Sequence, residues 1–173
     1  HMKLFPLALL LLAGGCATIE NPIYTGHSKH GEAFNKGPRQ AAYLMGTTSN
    51  VSFPITTDST EAQAFFNQGI GQLHGFWYLE AERSFRQVLK LHPEHPMAYW
   101  GIAMANAKNR ARSQSIIKKA VTGKSKVSDR EQLWIDSMNA YQNETDSKKR
   151  KAARLKSFQN ISDKYPEDLE AQA

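Results

Sequence analysis

Residues 81–94 read Ala81-Glu82-Arg83-Ser84-Phe85-Arg86-Gln87-Val88-Leu89-Lys90-Leu91-His92-Pro93-Glu94, and this stretch decides the fold. Ala81, Phe85, Val88 and Leu89 recur at spacings of three and four, which places them on one face of an α-helix. Pro93 lacks the amide hydrogen a helix interior needs, so the helix ends before it. The pattern then returns. Phe158 precedes Pro166-Glu167 by the same eight residues that separate Phe85 from Pro93-Glu94, and Ala98 and Ala171 follow at one common offset. The two prolines lie 73 residues apart, about two periods of 34 with a small insertion, which is the mark of stacked helix pairs.

Outward from this stretch the chain reads as six helices joined by short turns. Thr60-Glu61-Ala62-Gln63 has the form of a capping box and opens a first helix carrying Phe65, Phe66, Gly69, Ile70 and Leu73. Gly75 stops it, His74 is expected to satisfy its last carbonyls, and Phe76-Trp77-Tyr78 turns the chain into the second helix. Pro96 suits the first position of a third helix with Ala98, Tyr99, Ile102, Ala103 and Ala105. A fourth runs near 112–121 with Ile116, Ile117 and Ala120, and residues 123–126 form a linker. Ser128-Asp129-Arg130-Glu131 is a second capping box, opening a fifth helix with Leu133, Trp134, Met138 and Tyr141. The sixth covers about 146–164, with Ala152, Leu155, Phe158 and Ile161 as its expected buried stripe.

In these residues the chain resembles the tetratricopeptide repeat family. Ala81-x3-Phe85 with Pro93 matches the second half of the repeat signature, and Gly69 matches the glycine where paired helices approach closely. Tyr99-x2-Ile102-Ala103 is a conservative version of the first half. Gln68 and Gln72 depart from the first unit's apolar and aromatic positions, and Arg154 replaces the small alanine of the last unit. The stretches 72–85 and 97–105 resemble a group of secreted bacterial repeat proteins with no assigned chemistry. The resemblance implies an all-α fold, a right-handed α-solenoid of antiparallel helix pairs over 58–173. It also implies a concave groove lined by the first helix of each pair: Gln63, Phe66, Ile70 and Leu73, then Met97, Trp100, Met104 and Ala107. Large apolar groups there suit a peptide or partner helix. Ala171-Gln172-Ala173 should begin a further helix, and a repeat array needs a polar cap, so a truncated array is expected.

The first 57 residues read differently. His1 before Met2 looks like a cloning scar. Lys3 precedes an apolar run from Leu4 to Leu12, the length of a signal-peptide core and too short for a membrane span. The run ends at Ala13-Gly14-Gly15-Cys16, which resembles a bacterial lipobox, although Leu12 sits one place too early. Cys16, the sole cysteine, is the expected lipidation site, and Ala17 after it points by analogy to an outer membrane where the host has one. Residues 17–57 hold no sustained helical period and are expected to form an extended tether or docking segment. Within it Val51, Phe53 and Ile55 alternate with polar residues and Pro54, suiting an extended piece that leans on the helices.

Charge is one-sided. Residues 1–107 hold seven basic and seven acidic side chains, while 108–173 carry the whole net charge of +6. The run Lys148-Lys149-Arg150-Lys151, with Arg154 and Lys156, lacks interleaved stacking aromatics, which speaks for a solvated face and against nucleic-acid binding. No nucleophile elbow, HExxH motif or phosphate-cradling loop is present. Glu80 and Glu82 read as isolated surface carboxylates. The expectation is therefore a membrane-anchored scaffold for a protein or peptide, with no cofactor, no small-molecule substrate and no catalysis. One alternative is a periplasmic copper- or zinc-handling protein using His27, His30, His92 and His95, although a metal site needs three or four ligands. Another is a lipoprotein subunit of an outer-membrane or pilus assembly machine.

Overall fold

The computed structural model describes residues 42–46 and 50–172, which are all-helical with extended connections and no strand. Cys16, His27, His30 and the rest of the expected signal and early tether lie outside the described residues. Seven helices follow in order: α1 (Thr60–His74), α2 (Tyr78–Leu91), α3 (Pro96–Ala105), α4 (Arg110–Gly123), α5 (Asp129–Asn143), α6 (Ser147–Lys164) and a short α7 (Leu169–Gln172). A single 3-10 turn over Lys124–Lys126 replaces the expected linker.

The boundaries follow from side chains that satisfy the orphan amides of each first turn. Ser59 caps α1 by accepting from the Ala62 amide, so the expected Thr60–Gln63 box is not the cap, and Gln63 has another task described below. Asn109 caps α4, and Asp146 caps α6 by accepting from the Lys148 and Lys149 amides. The Ser128–Glu131 capping box of α5 is complete in both directions. Pro96 stands first in α3, as expected, behind His95, whose ring accepts from the Met97 amide at 3.1 Å.

Each helix from α1 to α6 packs on the next, and α1 also meets α3 while α3 meets α5. Phe85 of α2 is the hinge pin of the first pairs. It is wholly buried, and a Cβ added to Gly69 of α1 or to Gly101 of α3 would come within 2.6 and 2.5 Å of its ring. Burying one such phenylalanine contributes up to about 3 kcal/mol, and only glycine lets both backbones close on it.

Three expectations change. In α6, Ala152 is exposed and Leu155 is 72 % exposed, while Arg150 and Arg154 lie over the Tyr141 ring and Ile161 is the buried residue. Their guanidinium groups lie against aromatic rings, so the inward face runs through the arginines. Glu82 is not a surface carboxylate: it is wholly buried and accepts from Arg86, from Arg112 at 3.0 Å and from Asn106 at 2.8 Å. His74 does not close its own helix. Gly75 donates its amide to the Gly71 carbonyl, and His74 Nε2 lies 3.0 Å from Glu170 of α7.

Candidate functional site

Along α1, along α3 with the turn after it, and along α5, residues 34 positions apart can be set side by side. Gln63, Met97 and Glu131 form one row, Phe66, Trp100 and Trp134 the next, then Ile70, Met104 and Met138, and last Leu73, Ala107 and Tyr141. Glu131, Trp134, Met138 and Tyr141 were missed as site residues, and this lag is the signal that finds them.

One end of this face is filled by the chain itself. Residues 50–57 run extended, and side chains of the helices read their main chain. The Phe53 amide donates to Asn67 at 3.0 Å, the Ile55 amide to Gln63 Oε1 at 2.9 Å and the Thr56 amide to Glu131 at 2.8 Å. Gln63 Nε2 donates to the Phe53 carbonyl, and Arg130 to the Pro54 carbonyl. Thr56 also donates its hydroxyl to Glu131. Upstream, Gln68 holds the Met45 amide and the Tyr43 carbonyl while donating to Ser84. The two glutamines that break the repeat signature thus sit buried in bonded positions, Gln72 accepting from the Ser84 hydroxyl at 2.7 Å.

Phe53 is the anchor of this strap. Its ring is wholly buried, 5.5 Å from Phe66, 5.6 Å from Trp100 and 5.5 Å from Trp134, with the Arg130 guanidinium 4.2 Å above it. Such aromatic and cation–π contacts add about 0.5–1.5 kcal/mol each beyond burial.

The other end is open. A cleft of about 710 Å³ lies between α1, the start of α2, α3, α5, α6 and α7, lined by Leu73, Trp100, Met104 and Ala107 together with Tyr78, Lys108, Trp134, Tyr141, Arg154 and Phe158. His74 and Glu170 close one side. Of the expected groove residues, Leu73, Trp100, Met104 and Ala107 therefore line free space. Gln63 is engaged by the strap, and Phe66, Ile70 and Met97 are buried in the core.

Trp100 and Trp134 line the cleft on one side and contact Phe53 on the other. The Trp134 indole donates to Asp168 at 3.0 Å, and Asp168 also receives Arg130 at 2.7 Å. The Trp100 indole N–H is buried and meets no acceptor among the described residues. Lys108 stands over the Tyr78 ring, and Arg154 over Tyr141 and Phe158; neither has a carboxylate at ion-pair distance among the described residues.

Of the described histidines, His95 is placed for packing, while His74 and His92 are exposed. His95 is buried, its ring 4.7 Å from that of His92. Because Nδ1 accepts from the Met97 amide, the proton resides on Nε2, which donates to the Thr56 carbonyl at 2.9 Å. Burial pushes the His95 pKa down, with His92 adding to the effect and the Thr56 carbonyl and Glu131 opposing it. Among the described residues no group of three or more His, Cys, Asp and Glu could hold a metal, and no helix is long and apolar enough to cross a membrane.

Compared with known proteins, the chain matches no family model, no curated protein and no solved structure.

Proposed function

We propose that this chain is a tetratricopeptide-type interaction scaffold, a right-handed array of helix pairs that holds a segment of a partner protein against the inner face of α1, α3 and α5. The observation that supports this best is that the face already holds a polypeptide. Gln63, Asn67 and Glu131 take the main-chain amides of the strap, and the aromatic row takes one side chain, Phe53. Main-chain bonds give affinity without regard to sequence, and a pocketed aromatic gives selectivity. The cleft continues the same rows with no occupant from the described chain. Binding, and not catalysis, is the work we assign to it.

A test uses capped octapeptide libraries and the fluorescence of Trp100 and Trp134. Peptides enriched on the intact chain should lose at least tenfold in affinity for Met104→Glu, which puts a charge into the cleft without touching the strap. A library from which nothing is enriched, or equal binding by the variant, would remove the reading.

The anchor is a separate part of the proposal and rests on the residues before Cys16. Membrane extracts should yield a chain starting at an acylated Cys16, and Cys16→Ser should shift the protein to the soluble fraction. An unmodified Cys16 in those extracts ends it. A subunit of an outer-membrane or pilus assembly machine would use the same cleft. Metal handling is disfavoured by His95, which engages both ring nitrogens within the fold.

A further inference from the structure

We propose that the cleft takes a partner segment in which an apolar or aromatic side chain stands beside an acidic one, and that the Trp100 indole N–H and the Arg154 and Lys108 cations recognise the acid. The proposal rests on the peptide-binding reading above and specifies its ligand. Two independent observations carry it.

The first is an unmet donor. Trp100 is only 2 % exposed, and its indole N–H lies buried without an acceptor among the described residues, on a side chain that lines the cleft. Buried donors are nearly always satisfied, and an unmet one at a cleft is a position where a ligand acceptor is stabilised. The neighbouring Trp134 shows the contrast, since Asp168 supplies a carboxylate to its indole. An aspartate or glutamate from a partner would give Trp100 what Asp168 gives Trp134.

The second is charge. The cleft is lined by Lys108 and Arg154, held over aromatic rings with no carboxylate at ion-pair distance among the described residues, and by one carboxylate, Glu170, which is engaged with His74. Both cations are therefore placed over apolar rings and open to an incoming anion, which steers acidic segments in and disfavours basic ones. The apolar remainder of the lining, Leu73, Met104 and Phe158, takes the adjoining side chain.

The test uses the full chain and three pools of octapeptides with both ends capped, so that no terminal carboxylate contributes. Flanking positions are drawn from Leu, Ile, Met, Phe and Tyr, and one central position is Asp, Asn or Lys. The expected order of affinity is Asp, then Asn about tenfold weaker, then Lys weakest, with the Asp advantage shrinking between 0.05 and 0.5 M salt. Trp100→Phe keeps a ring and removes the donor; it should cut the Asp pool's affinity by about tenfold and leave the Asn pool within a few-fold. Arg154→Gln, at a partly exposed position, guards against misfolding of the first variant and should narrow the Asp-to-Asn ratio in the same direction. Equal binding of all three pools, or an Asp preference untouched in both variants, overturns this proposal and leaves the peptide groove standing. Binding by none of the pools overturns both.

Discussion

Glu82 shows how much one side chain decides in a chain with no disulfide among its described residues. Its carboxylate is wholly buried beneath Arg86, Arg112 and Asn106, so removing it strands polar donors away from water. Glu82→Ala should cost about 3–5 kcal/mol, read as a lower urea midpoint at unchanged slope. His95 gives a pH-dependent counterpart. Its folded pKa lies below histidine's ordinary 6.5, so the unfolded chain takes up the proton first. The His95 contribution is therefore fully present above about pH 6.5 and is lost as the pH falls toward the folded value. Protonation would also turn Nδ1 into a second donor facing the Met97 amide and break the α3 cap. Melting temperatures should drop between pH 7 and 5, and less so in His95→Asn, which keeps a capping oxygen.

The elements divide by what sets them. Leu155 looks like core by spacing yet is 72 % exposed, so Leu155→Lys should change stability by no more than about 0.5 kcal/mol in thermal unfolding. Helix ends were legible in the sequence because caps act locally: Pro96, Ser128 and Asp146 each satisfy or spare amides within one turn. The α6 stripe was not legible, because a period search counts Leu155 as apolar and Arg154 as polar. In the fold Arg154 covers Tyr141 and Phe158 with its flat guanidinium. Glu82 was read as a surface carboxylate for a related reason, since two of its three partners, Asn106 and Arg112, lie 24 and 30 residues away. The cleft was half legible. The α1 and α3 members of each row were named from the resemblance and the α5 members were not, and that a strap would fill one end depends on Gln63 and Glu131 finding main-chain amides, which no local pattern announces.

Over the whole molecule, the strap and the cleft are two sides of one aromatic wall. Trp100 and Trp134 pack on Phe53 and also line the open space, so under the proposed binding a peptide in the cleft should bias the seating of Phe53. Linkage is reciprocal. Phe53→Ala should weaken cleft binding of the best octapeptide, and that peptide should in turn slow proteolysis of residues 50–57 in the intact protein. Unchanged affinity in Phe53→Ala would show that the two sides act independently.

The strap has a consequence for how the chain is made. Thr56 leaves the ribosome ahead of every helix of the described residues, yet it bonds to Glu131, 75 residues downstream. At a synthesis rate of about 5–20 residues per second, Phe53 waits roughly 4–15 seconds before its landing site exists. For that interval the nascent polypeptide carries a bare phenylalanine and an unfinished aromatic pocket, a state that invites a holding chaperone to cover it until α5 has emerged.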